Sequence, residues 1–179
     1  MLNGLLLQPA MLLAWYNGDP VQTELVKRWA GAFRDHLQER ARQTNRTPGL
    51  EVAIPSGEII PGDYIRAGYP DAVWATYQLT GDESFLHFAG ELIGYEIDRK
   101  PLKSLHVTSS IFPAYIQATN DGRWDRFLKA TVNDSTLWKS SMHNSNYKLL
   151  DPFYAYWQRT GEDYWLDQGS KLALYHMIW

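Results

Sequence analysis

The chain has 179 residues, a net charge of −3 and 45% apolar residues, enough to pack a core as one domain or as part of a larger one. The mild acidity excludes a whole-chain attraction to nucleic acid, and the absence of cysteine excludes disulfides and thiolate chemistry. No apolar run reaches membrane-spanning length, so no membrane partner is expected.

The Leu- and Met-rich start lacks a basic n-region and is interrupted by Asn3, Gly4, Gln8 and Pro9. It reads as a buried helix over about 5–16 rather than as a signal peptide. Asn17-Gly18-Asp19 is a turn, and Pro20 suits the first position of a second helix over 20–44, whose apolar stripe is Leu25, Trp29, Ala32, Phe33 and Leu37. The far end of that helix, 38–43, is polar all round and is expected to project into solvent. A long connection, 45–63, carries Pro48, Gly49, Pro55, Gly57, Pro61 and Gly62, with short β-like runs at 52–54 and 59–60. Connections of this length inside compact domains are commonly functional.

Helices are then expected over about 64–79, 82–98 and 105–119, with Pro113 forcing a kink or a late start in the last. Another begins at Arg123 and weakens through the poor helix formers of 131–136. After a polar connection over 139–148, helices are expected at about 149–159 and from Asp163 onward. The final residues, 172–179, stop in mid-pattern, so another segment or subunit is expected to cover this C-terminal edge.

The segment 75–86 recurs as 155–166 without a gap. Both copies run Thr-Gly-acidic, followed by an aromatic-Leu pair (Phe85-Leu86 and Trp165-Leu166). Glycine reaches the left-handed conformation that closes a helix, and the acidic residue accepts from the free N–H groups of the next one. Looser copies stand at Asn17-Gly18-Asp19 and at Asn120-Asp121-Gly122, the second about 40 residues from each strong copy. That period predicts an all-α protein of about eight antiparallel helices arranged as stacked hairpins.

Repeated hairpins with Thr-Gly-Asp, then aromatic-Leu, then a small residue (Ala89, Gly169) resemble the (α/α) toroid of carbohydrate-active enzymes. That group includes the six-hairpin glycosidases and the toroid domains of alginate and heparin lyases. The resemblance implies an (α/α) toroid, or a sector of one, since about four hairpins stand here against five to seven in such toroids. It also implies a polysaccharide or oligosaccharide substrate and a periplasmic or secreted setting; no cofactor or metal is expected, since the sequence shows no phosphate-cradling glycine loop, dinucleotide fingerprint or metal-ligand spacing.

If the helices alternate in direction, the short turns share one end of the stack and the three longer connections (45–63, 99–104 and 139–148) share the other. In toroid lyases a proton alpha to a uronate carboxyl is removed and β-elimination ensues. The residue types this needs are present in His143, Asn144, Tyr147, Tyr64 and Arg66. By the resemblance, Asn144 and Arg66 bind the carboxylate, His143 is the base, and Tyr147 or Tyr64 protonates the leaving oxygen. Glu58, Asp63, His106, Asn146, Lys148 and Asp151 are the expected substrate-binding residues around them. A hydrolase would instead use carboxylates drawn from Glu58, Asp63, Asp71 and Asp151. A non-catalytic helical-repeat scaffold is the third reading. Asp63 and Asp151 also stand where helix N-caps belong. The remaining histidines stand singly, without metal-ligand spacing.

Overall fold

A computed structural model of the chain describes residues 7–44, 51–52, 59–60, 69–97, 111–125, 128–129 and 150–178. The chain divides into two compact units, Met1–Glu96 and Ile97–Trp179. The fold is all-α, apart from two-residue antiparallel strands β1 (Glu51–Val52) and β2 (Ile59–Ile60), in which Glu51 pairs with Ile60 and Val52 with Ile59. These strands fall on the two β-like runs of the long connection.

In the first unit α1 (Gln8–Asn17) and α2 (Pro20–Thr44) form one hairpin, and α3 (Tyr69–Thr80) leads through a two-residue link into α4 (Glu83–Ile97). The second unit contains α5 (Phe112–Ala118), helical turns at 123–125 and 128–129, and the hairpin α6 (Leu150–Thr160) and α7 (Asp163–Ile178). Pro113 lies in the first turn of α5, which therefore starts late.

Three turns share one construction. Gly18, Gly81 and Gly161 have φ of 67°, 68° and 70°, and each donates its N–H to the carbonyl four residues back. The side-chain oxygen of the preceding residue accepts the N–H of the following acidic residue: Asn17 from Asp19 (3.0 Å), Thr80 from Asp82 (3.2 Å) and Thr160 from Glu162 (3.2 Å). Each threonine hydroxyl also donates back to the carbonyl four residues earlier. Asp19 accepts from Val21 N–H (2.8 Å) and Asp82 from Ser84 N–H (3.0 Å), which caps the next helix. The fourth turn departs from this plan. Thr119 closes α5 in an extended conformation, Gly122 has no positive φ, and Asp121 caps the helical turn at 123–125 by accepting from Arg123 N–H (3.1 Å).

Contacts between hairpins fix their sense. Arg34 donates to Ser84 Oγ (2.6 Å) and Gln38 to the Glu91 carboxylate (3.1 Å), so α2 and α4 advance in the same direction. Gln117 donates to Gln158 (2.7 Å) and Arg159 to the Thr119 carbonyl (2.8 Å), so α5 and α6 also run parallel. In the second unit the turns at 119–121 and 160–162 thus lie at a common end, whereas in the first the start of α4 stands beside the middle of α2, where Ser84 meets Arg34 and Phe85 meets Gly31.

The cores reflect this stacking. Leu7, at the start of α1, and Ala10 and Met11 within it meet Val26 of α2 and Ala72 and Ala75 of α3. Phe33 meets Phe88 edge-on, and Arg34 covers the Phe85 ring. In the second unit Phe112 and Tyr115 pack edge-on against Trp124, while Trp165 is fully buried against Phe153 and Tyr156. Ala89 is fully buried, and a Cβ at Gly169 would stand 3.8 Å from that of Phe153, so small residues do sit where the chains approach.

The stripe expected on α2 needs correction. The buried positions are Val26, Ala30 and Leu37, whereas Leu25 is 49% exposed and Ala32 is exposed. At the far end of α2 Gln38 is held by Glu91, while Glu39 and Arg42 beyond it are exposed, as expected.

Candidate functional site

His143, Asn144, Tyr147, Tyr64, Arg66, Glu58, Asp63, His106, Asn146 and Lys148 lie outside the described residues. Asp151 is described. It stands in the first turn of α6, exposed, one step inside the helix rather than at its cap, where its charge complements the positive end of the helix dipole. Asp71 likewise stands in the first turn of α3 and is half-buried.

Two polar constellations among the described residues were not anticipated. At the end of α5, Tyr115 donates to Asp121 Oδ2 (3.4 Å), and the Arg123 guanidinium forks onto both Asp121 oxygens (2.9 and 2.8 Å from Nε). Arg123 holds the Asp121 carboxyl below the ordinary carboxylate range and is itself raised by it. Burial, then the Asp121 charge, raises the Tyr115 hydroxyl. These shifts arise from a capping turn and leave Tyr115 a donor and Asp121 an acceptor that is already engaged.

The second constellation surrounds Tyr156. Among the described residues its buried hydroxyl has no hydrogen-bond partner, nor has Nε1 of Trp165 or of Trp124. Burial pushes Tyr156 up to about 12. Arg159 lies 4.7 Å over the ring, close enough for its charge to oppose that shift but without hydrogen-bond geometry to the hydroxyl. Arg159 spends its donors on the Thr119 and Ile116 carbonyls, closing the C-terminal end of α5.

An open groove of about 700 Å³ runs along the first half of α2, lined by Pro20, Val21, Glu24, Leu25, Arg28 and Trp29. Val21 is 71% exposed, so large apolar side chains meet solvent there. Among the described residues no three His, Cys, Asp or Glu side chains are grouped to hold a metal ion, and no helix is long and apolar enough to cross a membrane.

Neither known protein families, nor curated proteins, nor solved structures show a match to this chain.

The groove has a sequence signal, but one that reads equally as core: Val21, Leu25, Trp29 and Ala32 lie on one strip of α2. The Tyr115–Asp121–Arg123 cluster has only the Asn-Asp-Gly turn as its sign. Nothing in the local pattern of Tyr156 and Trp165 marks their polar atoms as unpaired, since pairing depends on which helices surround them.

Proposed function

We propose that the chain processes an extended polysaccharide as an (α/α) toroid or a sector of one, by β-elimination on a uronic-acid-containing glycan. The observation that carries this reading is the repeated hairpin: three turns of the same construction, with corresponding helices parallel within each unit. That is the building plan of toroid enzymes of this class.

In this reading Asn144 and Arg66 neutralise the uronate carboxylate, which makes the adjacent C–H acidic. His143 takes that proton. The electron pair forms the new C=C bond as the glycosidic C–O bond breaks, and Tyr147 or Tyr64 gives its proton to the departing oxygen. Glu58, Asp63, His106, Asn146, Lys148 and Asp151 hold the neighbouring sugars.

The test is an assay of purified protein on a panel of polyuronates and neutral polysaccharides, following both the ultraviolet absorbance of unsaturated ends and the appearance of reducing ends. Elimination raises both signals. Reducing ends without absorbance overturn elimination in favour of hydrolysis by the carboxylates. Silence in both, from a folded sample, overturns catalysis in favour of a binding scaffold.

A further inference from the structure

The two flanks of α2 are treated differently. One carries Lys27, Arg34 and Gln38 and faces α4, with Arg34 bonded to Ser84 and Gln38 to Glu91. The other, roughly 140° round the helix at 3.6 residues per turn, carries Val21, Leu25 and Ala32, with Trp29 at its inner border. Val21 is 71% and Leu25 49% exposed, Ala32 is exposed, and the groove lies along this strip. The neighbouring α1 exposes Trp15 and Tyr16 as well, at 49% and 90%. Exposed apolar surface of this extent marks an interaction site.

The charges beside the strip say what fits it. Glu24 and Arg28 line the groove one turn apart on the same border, and among the described residues neither is in an ion pair. Two helices packed antiparallel about a two-fold axis bring like borders together. With that axis passing near Leu25, Leu25 meets the partner's Leu25, Val21 meets the partner's Trp29, and Glu24 meets the partner's Arg28, with Arg28 reciprocating. A parallel pairing would set each border against the opposite one and lose the charge match. The strip is self-complementary only in the antiparallel sense. We infer that this flank of α2 is the interface of a homodimer, with α2 of one protomer packed antiparallel on α2 of a second copy.

The test is sedimentation velocity of the full chain across a concentration series. A reversible monomer–dimer equilibrium is expected. Glu24→Arg and Arg28→Glu should each weaken it roughly tenfold or more, because each puts like charges together at two symmetric places. The double variant E24R/R28E should return it to near the parent value, and Leu25→Glu should leave monomer. These substituted sites line an open groove, so unchanged helical circular dichroism checks that the fold is intact. A chain that stays monomeric at every concentration overturns the inference. So does a dimer indifferent to the single swaps, or one that the double swap fails to restore. Species that keep growing with concentration overturn it as well, since they would mean head-to-tail packing rather than a closed pair.

Discussion

One substitution, Gly→Ala, should act with opposite sign at two positions eight residues apart. Gly161 sits in the turn before α7 with φ of 70°, and nothing lies within 4 Å of where its Cβ would stand. Alanine there meets no clash, so the whole cost is the left-handed backbone, about 1–2 kcal/mol, reduced by the stiffer unfolded chain to about 1 kcal/mol. Gly169 lies inside α7 with ordinary helical backbone, and its added Cβ would meet Phe153 at 3.8 Å, an ordinary contact. Alanine there should add about 1 kcal/mol through helix propensity. The two variants should therefore differ by about 2 kcal/mol in urea unfolding, read by circular dichroism and by tryptophan fluorescence. Coincident transitions with unchanged slope validate the comparison. Two neutral substitutions, or two of the same sign, would refute the assignment of Gly161 to the left-handed turn and Gly169 to the helix interior.

The same geometry sets further outcomes. Thr80→Val keeps the shape but removes both the acceptor for the Asp82 N–H and the donor to the Thr76 carbonyl, and should cost about 1 kcal/mol in thermal unfolding. Arg159→Ala should cost about 1–2 kcal/mol and speed amide hydrogen exchange at the end of α5, because the Thr119 and Ile116 carbonyls lose their donor. Tyr156→Phe removes a buried hydroxyl that has no partner among the described residues, so it should leave stability unchanged or raise it, as measured in urea. The Tyr156 hydroxyl titrates higher folded than unfolded, so its contribution is complete below about pH 10 and is lost as pH rises towards about 12. The parent should therefore lose stability more steeply than Tyr156→Phe over that window, by about 2 kcal/mol at its upper end.

The sequence makes local chemistry legible. The Thr-Gly-acidic turns at Gly81 and Gly161, the start at Pro20 and the late start at Pro113 all depend on residues within one turn of each other. Each appears where expected. The hairpin period is legible too, because it repeats those same signals. The Asn120-Asp121-Gly122 turn is recognisable as a break but not in its form: Thr119 ends the helix without a left-handed glycine. The buried face of α2 differs from its apolar pattern for another reason. An apolar strip shows what wants covering, not which neighbour covers it, and α4 settles on the flank of Arg34 while Leu25 is left open. The meeting of Tyr115, Asp121 and Arg123 depends on the turn geometry rather than on a spacing, so no pattern announces it. The proposed catalytic residues lie outside the described residues, and their grouping rests on residue chemistry and on the expected convergence of the longer connections with the adjoining helix starts. Of the expected substrate-binding group, Asp151 alone is among the described residues, in the first turn of α6.

The most direct test of the functional account is the initial rate of unsaturated-end formation on a polyuronate, compared between the parent chain and His143→Gln, Tyr147→Phe and Arg66→Met at matched helical content. A measurable parent rate is expected. His143→Gln should lose it by roughly a hundredfold or more, as removing a general base does, and Arg66→Met should lower kcat/KM through the carboxylate it neutralises. A parent that forms no unsaturated ends on any polyuronate, or variants that retain the parent rate, would contradict it.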